Sequence, residues 1–120
     1  PIFAQKVADV EINLLALEYT ELRTLSAIST GQAPGPESSI LKIVGTQVIQ
    51  AIDELYVEAA GYYSMPFVPG QFNEDFEGQH IGSDMEANTA LRYFNNRKAS
   101  IYGGSNEIQT NIISKAVLGL

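Results

Sequence analysis

Ser100–Leu120, SIYGGSNEIQTNIISKAVLGL, is the stretch from which the rest of the chain is read. Two adjacent glycines, Gly103 and Gly104, precede Ser105, Asn106 and Glu107, and apolar residues then recur at Ile108, Ile112, Ile113, Ala116 and Val117. This spacing predicts an amphipathic helix that opens directly from a flexible turn. Ser105 suits the N-cap, because a short side-chain oxygen can accept from an amide of the first turn. Glu107 complements the positive end of the helix dipole, and Gly119 supplies a stop. A helix start of this kind offers unpaired backbone N–H groups to an anion or to the polar part of a cofactor. From the residues alone, an ordinary cap and turn is the simpler account.

Working outward, Ser83 and Glu86 fit a capping box for a preceding helix from about Met85 to Ile101. Ala87, Ala90, Leu91 and Phe94 mark its apolar side, and Arg92, Asn95, Arg97 and Lys98 its polar side. The basic residues read either as a patch suited to a phosphate or, more simply, as an exposed helix face. Between Tyr63 and Asp84 periodicity is lost, with Pro66, Pro69, Gly70, Gly78 and Gly82 interspersed among Phe67, Phe72 and Phe76. About twenty residues without a period are unusual inside a compact domain and suggest a functional or docking loop. The rings argue against plain disorder. They either pin the loop to the helices or cover a neighbouring subunit or a substrate path. His80 is the single histidine and lies in this loop near Glu74, Asp75 and Glu77, without the ordered spacing of a metal site.

The first half of the chain is helical in pattern. From Ile2 to about Ser29, Phe3, Val7, Val10, Leu14 and Leu17 recur at three- and four-residue steps, and Leu22, Leu25 and Ile28 continue on a neighbouring face. Asp9, Glu11, Glu18 and Glu21 lie off that stripe. Such a helix reaches roughly 40 Å and needs long antiparallel partners. The breaker Gly31-Gln32-Ala33-Pro34-Gly35-Pro36 ends it. A second helix follows from about Glu37 to Tyr62. Its core face carries Ile40, Leu41, Val44, Val48, Ala51, Ile52, Leu55 and Ala59, and Lys42, Gln47, Gln50, Asp53 and Glu54 lie mostly elsewhere. Gly45 marks a close helix contact. No strand signal interrupts these segments, so the expected fold is all-α, an up-and-down four-helix bundle in one domain over residues 1–120.

Composition narrows the function. Fourteen acids against seven bases give a net charge of −7, which repels phosphate backbones and argues against general nucleic-acid binding. Cysteine is absent, which removes disulfides, thiol chemistry and cysteine-ligated metals. No run of about 18 apolar residues is present to span a membrane, and no secretory pattern opens the chain. The expected location is cytoplasmic, in a bacterium, with the mitochondrial matrix a lesser alternative. Pro1 in place of an initiator methionine suggests a fragment, a processed piece or a domain.

The string Arg92–Leu120, RYFNNRKASIYGGSNEIQTNIISKAVLGL, closely resembles the C-terminal signature of the acyl-CoA dehydrogenase family. In that signature Ile-Tyr-(Glu or Gly)-Gly-(Thr or Ser)-x-(Glu or Gln)-Ile-Gln opens the final helix of an α-helical domain. The resemblance implies that residues 1–120 are most of that domain, a C-terminal fragment of a larger FAD-dependent enzyme. It implies α,β-dehydrogenation of an acyl-CoA substrate, an electron-transfer acceptor and a homo-oligomer, dimer or tetramer. By the same resemblance, Ser105, Asn106 and Glu107 match the stretch that touches FAD, Tyr102 lines the acyl pocket, and the backbone of Gly104 lies near the thioester. Glu107 stands where many relatives have glutamine, and a carboxylate accepts but does not donate. The glycine-rich turn that contacts the partner's flavin is preserved only in part, at Gly61, beside Tyr62 and Tyr63.

In this family a glutamate takes the α-proton as hydride leaves the β-carbon, which requires a carboxylate within reach of that proton and donors for the developing enolate. Many members place the glutamate directly after the signature tyrosine. Here that residue is Gly103, which has no side chain to act as a base. Either the base sits on an earlier helix of the domain, outside this chain, or the parent is a non-catalytic subunit or a stand-alone interaction module derived from the family. In both cases the isolated chain is expected to be inactive and to carry no bound FAD.

Overall fold

The computed structural model describes residues 2–119; Pro1 and Leu120, the two ends of the sequence read above, lie outside the described residues. The chain is all-helical, as the periodicity requires. Helix α1 runs Ile2–Ser29, α2 Glu37–Ala60, α3 Asp84–Asn96 and α4 Asn106–Leu118. Short 3-10 turns, Gly61–Ser64 and Arg97–Ser100, extend the second and third.

The helix ends follow local chemistry. Ser83 and Glu86 form the anticipated capping box: the Ser83 hydroxyl accepts from the Glu86 amide, and the Glu86 carboxylate accepts from the Ser83 amide at 2.8 Å. Ser105 caps α4, and Gly119 ends it in the left-handed region. Two ends differ from the sequence reading. Helix α2 stops at Ala60 rather than Tyr62, because Gly61 turns to φ 55° and starts the 3-10 turn. Helix α3 stops at Asn96 rather than Ile101, and its last turn tightens to 3-10 geometry. There Gln50 Nε2, reaching across from α2, donates to the carbonyls of Asn96 and Arg97 at 3.1 and 3.3 Å.

Helix α2 is the hub on which α1, α3 and α4 each pack. Lys6 of α1 meets Glu58 of α2 at 2.6 Å, which sets the start of α1 beside the end of α2 and makes the pair antiparallel. The molecule is elongated, 58 × 34 × 28 Å. This arrangement corrects two core assignments. No residue of α1 is buried, and Phe3 and Leu14 of its expected core stripe stay exposed, because α2 covers only one side of the helix. On α2 the fully buried large side chain is Asp53, 1% exposed, a residue the apolar pattern set aside. Lys42, Thr46, Gln50 and Asp53, spaced three and four apart, form a polar stripe that faces the C-terminal half of the chain.

That stripe holds α3 in place. Asp53 Oδ2 accepts from Asn96 Nδ2 at 2.6 Å, and Arg92 lies 3.2 Å from Oδ1 with its guanidinium over the Tyr56 ring. Arg97 donates to Glu54 at 3.1 Å and to the Gln50 carbonyl at 3.2 Å while stacking on Tyr93. Lys98 turns back to Asn95. The basic residues of α3 are therefore engaged within the chain. In the irregular segment Gln71 is buried and donates to the Ile81 carbonyl, while Phe76 packs edge-on against His80. Phe67, at 76% exposure, and Phe72 stand outside, and with Leu91 and Phe94 they line an apolar groove of about 450 Å³. Among the described residues, no three histidine or acidic side chains cluster as a metal site would require.

Candidate functional site

Each candidate residue lies where the turn after α3 meets the first turn of α4, over the N-terminal half of α2. The chain makes this turn because Gly103 and Gly104 both take positive φ, 66° and 84°, which side chains with a Cβ rarely adopt. A Cβ on Gly103 would meet nothing within 4 Å, so that side of the turn is open space. A Cβ on Gly104 would stand 2.7 Å from Gln109 Nε2, which itself donates back to the Gly103 carbonyl at 3.3 Å. Among the described residues, the amides of Gly103, Gly104 and Ser105 make no hydrogen bond to the main chain. Such amides are donors to whatever occupies that side.

The structure brings Tyr102 and Gly103 together with α2. They line a shallow cavity of about 320 Å³ whose other walls include Leu41, Lys42, Gly45 and Ile49. Gly45, read from sequence as a close contact, faces α1 at ordinary packing distance only: a Cβ there would lie 3.8 Å from Leu17 Cδ2, so the approach does not require a glycine. The cavity is a largely aliphatic shelf with one cationic side chain, Lys42. Tyr102 is more than half exposed above it.

Ser105, Asn106 and Glu107 do not share one orientation. Ser105 Oγ accepts from the Ile108 amide at 3.4 Å and is used as a cap. Asn106 turns inward to α2: Oδ1 accepts from Lys42 Nζ at 2.7 Å, and Nδ2 donates to Thr46 Oγ1 at 3.2 Å. Lys42 Nζ also donates to the Ser100 carbonyl at 3.2 Å. The Glu107 carboxyl titrates below its ordinary range, chiefly through the Ser105 side chain, then through its own amide, with a smaller contribution from Lys42. Glu107 is thus an anion at neutral pH, set against the helix dipole. Lys42 and Thr46 were missed as site residues. Their signal was in the sequence, as polar positions four apart on one face of α2, but the apolar stripe drew attention to the other side.

The described residues form an all-helical domain whose last helix opens from a double-glycine turn over an apolar shelf. The family model for the acyl-CoA dehydrogenase C-terminal domain matches residues 1–118, and the chain belongs to the acyl-CoA dehydrogenase family. Among curated proteins it is similar to acyl-CoA dehydrogenase IpdE1 of Mycobacterium tuberculosis, 29% identical over 120 residues, covering all of this chain and 27% of the relative. The protein of the same name from Mycolicibacterium smegmatis is 27% identical over 120 residues, covering all of this chain and 26% of that relative. The chain therefore spans about a quarter of the length of these relatives. No solved structure matches it significantly.

Proposed function

We propose that these 120 residues supply the C-terminal helical domain of an FAD-dependent acyl-CoA dehydrogenase, forming one wall of the flavin and thioester pocket and part of an oligomer interface. The observation that carries the reading is the signature turn: two positive-φ glycines, three amides without main-chain acceptors, and open space over Gly103, directly above an apolar shelf. Bound FAD would take the hydride released from the β-carbon of the acyl thioester. The amides at Gly103 and Gly104, which have no main-chain acceptor among the described residues, fit the task of donating to an oxygen that gains charge. Tyr102, Leu41 and Ile49 offer apolar surface to an acyl chain. Ser105 and the first amides of α4 fit a polar cofactor edge, and the outward carboxylate of Glu107 can accept from a hydroxyl. Asn106, with its amide committed to Lys42 and Thr46, serves by holding the start of α4 rather than by contacting the cofactor.

The base lies elsewhere. Gly103 contributes none, and among the described residues no carboxylate lines the shelf. We place it outside these residues, on a preceding part of the same domain. The proposal extends to an acyl-CoA substrate, an electron-transfer acceptor and a cytoplasmic setting. Separately, no described helix is long and apolar enough to cross a membrane. Anaerobic titration of the whole gene product with acyl-CoA thioesters tests the proposal. Bleaching of the visible flavin absorbance, with formation of the enoyl thioester, is expected. A gene product that purifies without flavin and takes up none when FAD is added would refute it. Retained flavin that no thioester bleaches would favour a non-catalytic subunit.

A further inference from the structure

We infer that Lys42 is a positioning residue for the signature turn, a staple on α2 that ties the two ends of the Ile101–Ser105 segment together beneath Gly103 and Gly104. The inference rests on the function proposed above for that turn, and its geometry stands independently. Two adjacent glycines at positive φ have few intrinsic restraints. The main chain supplies little more. Ile101 and Tyr102 both bond to the Lys98 carbonyl, and the next main-chain bond is Gln109 to Ser105. Between them the Ile108 amide is capped by Ser105 Oγ and the Gly103 carbonyl accepts from Gln109 Nε2, but the amides of Gly103, Gly104 and Ser105 have no main-chain acceptor among the described residues. Side chains close this gap. Lys42 Nζ donates to the Ser100 carbonyl on the near side and to Asn106 Oδ1 on the far side, at 3.2 and 2.7 Å. Thr46 fixes the same amide group, accepting from Asn106 Nδ2 while giving its own proton to the Ile43 carbonyl at 2.8 Å. The side chain of Asn106 is thereby oriented by two residues one helical turn apart on α2.

A cationic side chain suits this place. Hydrogen bonds from a charged donor are roughly twice as strong as neutral ones, and an ammonium can serve two acceptors on separate segments at once. A neutral apolar residue at 42 would pack α2 against the shelf equally well and leave the turn free. Lys42 also lines the shelf beside Tyr102 and Gly103, so the staple and the surface it positions are contiguous. The amides offered by the turn are then held at a fixed height over the shelf, which donors to a developing charge need.

The test compares Lys42→Met, Lys42→Arg, Asn106→Leu and the Lys42→Met/Asn106→Leu double variant in the full 120-residue chain, by amide hydrogen exchange at Tyr102, Ile108 and Gln109. These amides bond across or next to the turn, whereas those of α1 do not touch it. Lys42→Met is expected to speed exchange at the three amides about tenfold and to leave α1 unchanged, with Lys42→Arg recovering most of the protection. The double variant should exchange more slowly than the two single effects multiplied together would give. Both remove the Lys42–Asn106 bond, while each also removes one bond of its own, to the Ser100 carbonyl or to Thr46. Unchanged exchange in Lys42→Met, additive effects in the double variant, or equal acceleration in α1 would each overturn the staple. In the flavin-bearing gene product, the same substitution should lower kcat for the thioester about tenfold with KM little changed, and Lys42→Arg should restore it. A changed exchange pattern in a protein without flavin chemistry would leave the staple standing and refute the proposed function instead.

Discussion

At Gly104 the backbone sits at φ 84°, and a Cβ built there would stand 2.7 Å from Gln109 Nε2. Gly104→Ala therefore meets two penalties: left-handed strain of about 1 kcal/mol and loss of the Gln109 bond to the Gly103 carbonyl, about 1 kcal/mol more. Gly103→Ala meets only the first, because its Cβ would find open space. Urea denaturation should show Gly104→Ala to be the more destabilising by about 1 kcal/mol, and equal midpoints would reject this account. Two glutamates set a pH response at the same scale. The Glu86 carboxyl is held below its ordinary range by the Ser83 amide and then the Ser83 hydroxyl, and Glu107 by Ser105. A carboxyl depressed in the folded state contributes stability above its unfolded value of about 4.3 and loses it as pH falls through the lower folded value. The denaturation midpoint should fall on acidification through that window. Glu86→Gln should be less stable than the parent at neutral pH and show a shallower dependence, and a parallel curve would show that the capping box carries no proton linkage.

Among the elements, α2 is the one on which the others pack, and its polar stripe holds α3 and α4 by side-chain hydrogen bonds. Asp53 is buried while its partner Arg92 is half exposed, so removing the carboxylate leaves Asn96 without its acceptor but lets the guanidinium reach water. Asp53→Ala should destabilise the chain by about 2–3 kcal/mol and release α3, with amide exchange rising in Asp84–Asn96 before it rises in α1. Equal loosening of both helices would argue against the stripe as their organiser. The same stripe explains what the sequence made legible. Helix positions were readable because caps and breakers act locally: Ser83 with Glu86, Ser105 and Gly119 each satisfy groups within a turn of themselves. The inward face of α2 was not, since Lys42, Gln50 and Asp53 are polar and their hydrogen-bond partners lie more than forty residues away. The end of α3 was misjudged for the same reason, as Gln50 captures its carbonyls from across the fold. The turn at Gly103 and Gly104 and the helix start at Ser105 could be placed from their local sequence. The inward turn of Asn106 depends on contacts that no local pattern contains.

Taken as a whole molecule, the chain exposes more than a closed domain of its mass would. Its accessible surface is 8518 Å², against about 6,300 Å² for a compact monomer of 13 kDa. Its radius of gyration is 18.7 Å, where about 14 Å is usual for this length. The excess has an address. Ile12, Leu15, Tyr19 and Leu22 recur at heptad spacing on α1, all are more than half exposed, and they lie away from the Val7, Val10 and Leu17 side that rests on α2. A second apolar stripe on a helix that already has one partner is a surface for another helix. In the chain alone, the available partner is a further copy, so association should rise with concentration and α1 amides should gain protection as it does. Leu15→Glu with Tyr19→Glu should return the chain to monomers in sedimentation velocity without lowering its helical circular dichroism, because neither residue contacts the polar stripe of α2. A chain that stays strictly monomeric at high concentration, or a charged variant that loses its helix, would show that this stripe is not a packing surface.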